Sequence, residues 1–165
     1  MSPRRLWICA LFVLAATTLS IPLSARADTQ LVSATVGSTL GITLSGPVTL
    51  TSLVPGGTST GSGSVVVVAT LGWTLKIKDS ASSNAGHLQR TSGSSGTDAL
   101  NRALRWQTSG TGVSGASGSL SGTDATAATG TLSRTVNVDY SQQVDSDEQL
   151  AAGSVYSLTV TWTVS

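Results

Sequence analysis

The sequence predicts an all-β protein, an antiparallel β-sandwich. Three observations carry that expectation. The last ten residues alternate without a break: Tyr156, Leu158, Val160, Trp162 and Val164 are large and apolar, and serine or threonine stands at every position between them. Successive side chains of a strand point to opposite faces, so this pattern gives one wet face and one buried face. Upstream, short runs rich in Val, Ile, Leu and Thr are separated by Gly, Pro, Ser and Asn clusters, the usual punctuation of strands and turns. Finally, no stretch beyond residue 27 shows a compelling helical period.

The elements follow in order. Val32, Ala34 and Val36 begin an alternating segment, and Leu40, Ile42 and Leu44 continue it past Gly37-Ser38. Gly46-Pro47 marks a turn, after which Val48, Leu50 and Leu53 predict a further short strand. Pro55 through Gly63 reads as a loop. Val65 to Val68 is β-branched throughout, which suits a strand covered on both faces. Strict alternation returns after Gly72, with Trp73, Leu75 and Ile77 on one face and Thr74, Lys76 and Lys78 on the other. Gly72 reads as either a bulge or a bend that carries the chain to a second sheet. Residues 79–98 read as loop.

Residues 99–107 fit two templates. Leu100, Ala103, Leu104 and Gln107 would line a helix behind an Asp98 cap, while Leu100, Leu104 and Trp106 also fit a strand; strand is the reading adopted. Residues 108–130 form a second Gly/Ser/Thr loop, with room for short strands near Val113 or Leu120. Leu132, Val136, Val138 and Tyr140 mark the next strand, an acidic connection runs from Gln142, and Gly153 turns the chain into the last strand. Many short strands with regular turn signals are the pattern of an Ig-like or Greek-key sandwich.

The first 27 residues stand apart. Arg4-Arg5, the apolar run from Leu6 and the small residues of Ala25-Arg26-Ala27 predict a secretory signal cleaved before Asp28, leaving 28–165 as one domain. The apolar run is shorter than the roughly 20 residues that span a bilayer, so no membrane association is expected after cleavage. The lone cysteine, Cys9, lies within the signal, which leaves the domain without disulfide or thiolate chemistry. Three of the nine basic residues (Arg4, Arg5, Arg26) depart with the signal while all eight acidic residues remain, so the balance becomes slightly negative. A charge-poor surface without a basic stripe excludes nucleic acid as the expected partner.

Two segments carry a family resemblance. Gly72-Trp73-Thr74-Leu75 holds a Trp-x-Leu tripeptide, and Tyr156, Val160, Thr161, Trp162 and Val164 reproduce the spacing of a distal Tyr-x-x-x-aliphatic-Thr-Trp-x-Leu motif, with Val164 in place of leucine. Together they resemble the WxL domain, of which this chain would be a divergent member. The resemblance implies a β-rich fold and non-covalent attachment to the bacterial cell wall through peptidoglycan. By alternation, Trp73, Leu75, Trp162 and Val164 also lie on apolar faces, where aromatic residues more often build core than bind ligand. Trp106, beside a Gly/Ser loop, is the candidate for stacking on a sugar ring.

Enzymatic readings find little to stand on. His87 is the only histidine, and neither a triad nor a zinc site can be assembled from sequence neighbours. Asp145, Asp147 and Glu148 lack the ligand ladder of a calcium loop. Lys76 and Lys78 read first as a solvated face that discourages edge pairing. The expectation is therefore a secreted, extracellular, non-enzymatic protein without cofactor or metal. It would associate with peptidoglycan or another cell-wall glycan, with other surface proteins as further partners. The alternative is a structural subunit of a surface fibre, pilus or spore-coat-like assembly, because the ending from Ala151 to Val164 is similar to that of such subunits.

Overall fold

The computed structural model describes residues 37–93, 96–150 and 152–165. The predicted signal and the alternating segment Val32–Val36 lie outside them. The described residues contain eleven strands and no helix: β1 (Leu40–Leu44), β2 (Thr58–Ala69), β3 (Gly72–Asp79), β4 (Gln89–Ser92), β5 (Arg105–Ser109), β6 (Val113–Gly115), β7 (Ser117–Ser119), β8 (Ala125–Thr131), β9 (Arg134–Gln143), β10 (Val155–Ser157) and β11 (Val160–Val164). The fold is all-β and sandwich-like.

One sheet has the order β1-β2-β9-β5-β7, the other β11-β3-β8-β6, and β10 pairs with β4 in a small third sheet. All strand pairs are antiparallel. The chain passes from the five-stranded sheet to the four-stranded one at Thr70-Leu71, just before Gly72, so of the two readings of that glycine the bend is the one the fold takes. It returns at Leu132-Ser133, where Leu132 takes a left-handed φ of 58°.

The core lies between the two larger sheets. Val65, Val67 and Ala69 of β2, Val136, Val138 and Tyr140 of β9, and Trp106 of β5 meet Trp73, Leu75 and Ile77 of β3 and Ala127 and Ala128 of β8. The long pairing of β2 with β9, from Thr58↔Gln143 to Val67↔Arg134, is the spine of the larger sheet. A smaller cluster of Leu88, Leu100 and Val144, with Leu53, Leu150 and Tyr156 against it, closes the end formed by the long loops.

Several expectations are corrected. The strand expected at Val48–Leu53 does not form. Backbone bonds from Ser45 N–H to Ser64 and from Thr51 N–H to Thr60 pin the two ends of this segment to β2, and the stretch between arches inward. Val48 and Leu50 thereby fill the space that side chains at Gly61 and Gly63 would occupy. A Cβ at Gly61 would lie 2.7 Å from the Thr49 carbonyl, and one at Gly63 would lie 2.8 Å from Val48 Cγ2. The residues expected as loop from Thr58 to Gly63 are thus strand, because glycine there leaves room for an incoming plug and pairing with β9 overrides weak propensity. Val66 and Val68 face solvent rather than a second layer. β4 and β8 arise within segments expected to be mostly loop, and at 99–107 the strand occupies only Arg105 onward, with no helix. The final alternating run keeps its alternation of burial except at Thr161, which is partly buried, and it breaks at Leu158-Thr159, so Tyr156 joins the small sheet and Val160–Val164 joins β3.

Candidate functional site

The two tryptophan-bearing motifs are neighbours in one sheet. β11 pairs with β3, placing Trp162 opposite Ile77 and Val164 opposite Leu75, and Thr74 and Ser165 exchange a pair of backbone hydrogen bonds just beyond. Trp73 is 3 % exposed, and its indole N–H donates to the Leu132 carbonyl at 2.8 Å, tying β3 to the chain's return crossing. Leu75 is fully buried. Val160, Trp162 and Val164 pack against the core from the sheet edge while remaining partly exposed. Trp162 reaches across the sandwich to the Tyr140 phenol. Burial pushes Tyr140 above the usual tyrosine range, and the hydrogen bond with Trp162 pulls in the opposite direction. Tyr156 donates its hydroxyl to the Thr97 carbonyl at 2.7 Å, and Thr161 pairs with Lys78. The motif residues therefore build the fold's interior and one edge.

Trp106 does not stand on the surface. It is 4 % exposed, faces the core, and lies so close to β7 that a Cβ at Gly118 would sit 3.1 Å from its ring. So little of the ring is exposed that it offers no platform for stacking a sugar. The loop seen next to Trp106 in the sequence flanks the strand rather than exposing it.

The outer face of the five-stranded sheet is the surface with the composition of a binding site. Strand register sets its side chains in rows. The first row runs Thr60, Ser141, Arg105, Ser119 and the second Ser62, Asp139, Gln107, Ser117; a third row holds Ser64, Asn137 and Ser109. Thr60, Ser141, Arg105, Ser62, Asp139, Gln107 and Ser117 of the first two rows, with Gly61, Trp106 and Tyr140 beneath them, line a shallow depression of about 540 Å³. It continues along the strands into depressions lined by Ser45, Ser64, Ser109 and Asn137, and then by Val66, Thr111 and Thr135. Period-two alternation explains the face: on β5, β9 and the first half of β2 the outward positions are Ser, Thr, Asn, Gln, Asp or Arg, and only toward the end of β2 do Val66 and Val68 take their place. Side chains on adjacent strands repeat at about 4.8 Å, comparable to the width of a pyranose ring. Hydroxyls both donate and accept, and Arg105 and Asp139 add one donor-only and one acceptor-only group.

Several other polar groups are taken up by structure. The buried Asp79 carboxylate accepts from the backbone N–H groups of Ala81 at 3.0 Å and Gly86 at 2.7 Å. Glu148 is likewise buried and accepts from the N–H groups of Asn101 and Asp145. Arg102 pairs with Asp145 at the surface, and that hydrogen bond holds its guanidinium above the ordinary arginine range. His87 Nδ1 lies 2.7 Å from the Leu100 carbonyl and so carries its proton toward it. Lys78 pairs with Asp124 at 3.4 Å. No group of three or more His, Cys, Asp or Glu residues suited to a metal ion occurs among the described residues. Sequence reasoning missed the outer face, although the alternation of polar residues along 134–143 was a usable signal.

No protein-family model, curated protein or solved structure matches this chain.

Proposed function

We propose that this protein is a secreted, non-enzymatic component of the bacterial cell surface that holds cell-wall glycan, peptidoglycan foremost, on the outer face of its five-stranded sheet. The observation that carries the reading is the grid of hydroxyl, amide and oppositely charged side chains formed by Thr60, Ser141, Arg105, Ser62, Asp139 and Gln107 across adjacent strands. Such a grid meets a polyhydroxylated ligand with many individually weak hydrogen bonds, direct or through water. Without an aromatic platform each contact is shallow, so retention on a wall depends on many copies meeting a repeating polymer. The signal-like N-terminus and the resemblance to WxL domains support the same location, and the motif residues serve it by holding the sandwich together.

The test is co-sedimentation of the mature chain with purified sacculi. Wild type is expected in the pellet. The combined variant Arg105→Ala, Gln107→Ala, Asp139→Ala is expected to stay in the supernatant with an unchanged thermal midpoint, because all three side chains face solvent. A wild-type chain that does not sediment, or a triple variant that sediments equally well, overturns the proposal.

A further inference from the structure

The depressions on the outer face of the five-stranded sheet join end to end. The first shares Ser62 and Asp139 with the second, and the second shares Asn137 with the third. Together they follow β2 and β9 from the pair Thr60↔Ser141 to the pair Val66↔Thr135. The six residues between those pairs extend about 20 Å along an antiparallel strand.

Side-chain size changes across the strands more than along them. β2 presents Thr60, Ser62 and Ser64, all short, while Asn137 and Asp139 of β9 and Arg105 and Gln107 of β5 stand taller on one side of them. Ser45, whose backbone N–H bonds the Ser64 carbonyl, borders the same floor on its other side. A line of short residues beside a line of longer ones makes a trough, and its axis is the strand direction.

The two ends of the trough differ in chemistry. Arg105 and Asp139 supply the charges of one end, and neither forms an ion pair among the described residues. At the other end Val66 stands 38 % exposed, beside the hydroxyl of Thr135 and the amide of Asn137. An apolar side chain next to a hydroxyl and an amide is the complement of an N-acetyl group, which is a methyl carried on an amide.

We infer that the trough holds a linear, unbranched glycan lengthwise along β2 and β9, with an N-acetylated ring seated at Val66. At about 5 Å per ring, the length of the trough takes about four pyranoses. The inference rests on the glycan reading above and adds which glycan fits: a chain met along its length, rather than a single sugar, a chain end or a branched polymer. The unlike ends also give the bound chain one preferred direction. Val66 is the residue that selects an acetylated sugar over a plain one, and the short side chain of Ser62 keeps the path open where two depressions join.

Titration of the mature chain with β-1,4-linked N-acetylglucosamine oligomers of one to six rings tests this, with backbone amide resonances as the readout. Shifts are expected at residues 60–66 and 135–141 together. Affinity should rise by about threefold or more for each ring added up to four, the worth of a hydrogen bond or two, and level off beyond. The four-ring glucose oligomer lacks the acetamido group and should bind about fourfold more weakly, the worth of one buried methyl. Val66→Thr should erase that preference. Ser62→Gln should lower the four-ring ligand to the affinity of the two-ring one. Both side chains face solvent, so the thermal midpoint of each variant should match wild type. Affinity independent of length, equal binding of the glucose oligomer, or indifference to both substitutions overturns the inference while leaving the glycan reading in place, provided that wild type sediments with sacculi. Binding of neither oligomers nor sacculi overturns both.

Discussion

Substituting Gly63 and Val48 separately and together tests the plug that fills the interior beside β2. Gly63 faces inward, and the Cβ of an alanine there would stand 2.8 Å from Val48 Cγ2, inside normal contact. Overpacking of this kind costs about 1–3 kcal/mol. Alanine recovers about 0.5–1 kcal/mol of the backbone entropy that glycine loses in a strand. Gly63→Ala alone should therefore cost about 1–2 kcal/mol. Val48→Ala removes two methyl groups from a half-buried side chain, about 1 kcal/mol at roughly 0.8 kcal/mol per fully buried carbon. In the double variant the new methyl occupies the vacated space, so the total should be about 1 kcal/mol rather than the sum of the two. Urea unfolding followed by tryptophan fluorescence reads the difference. With slopes of about 1–3 kcal/mol per molar, a coupling near 1.5 kcal/mol separates observed from additive midpoints by at least about 0.5 M. Additivity within about 0.5 kcal/mol would refute the claim that these side chains share one space.

Further outcomes are expected. Gly130→Ala drives a methyl into the Trp73 ring on the facing strand and should destabilise by about 1–3 kcal/mol, whereas Gly72→Ala, whose nearest neighbour would be 3.8 Å away, should be tolerated. Tyr140 has a folded-state pKa above its unfolded value of about 10, so its burial contributes fully below that pH and is lost as pH rises through the folded value; Tyr140→Phe should flatten the alkaline fall in thermal midpoint. Glu148→Ala leaves two backbone donors at Asn101 and Asp145 without their acceptor and should cost about 1–3 kcal/mol in chemical denaturation. Arg102→Ala should leave the midpoint unmoved, since its pair with Asp145 is solvated.

Much of the strand content was legible because alternation is a local signal. The strands around Leu40–Leu44, Trp73–Ile77 and Val136–Tyr140, and the alternating burial of the last ten residues apart from Thr161, follow from side-chain period alone. Where tertiary pairing decides, the reading fails. Thr58–Gly63 carries no hydrophobic pattern and becomes strand only because β9 runs beside it, and Val48–Leu50 has a strand's composition but serves as filling for a neighbour made of glycine. Trp106 illustrates the same limit at the level of the site. Its exposure depends on which way β5 faces, and that is fixed by β9 and β7, not by the adjacent loop. The polar outer face was legible only strand by strand, as in the alternation along 134–143; its rows join residues as distant in sequence as Thr60 and Ser141, and no linear pattern lines those up.

Those rows have a bearing on how the protein can change over time. Each side chain on the outer face is separated from the interior by the thickness of a single strand, and none of the valines, tryptophans or tyrosines beneath depends on it for packing. Replacing a serine by asparagine there, or moving a charge from one strand to the next, would rewrite what the surface prefers to touch while the scaffold stays as it is. The contacts this face makes can therefore change quickly from one sequence to the next while the interior stays the same.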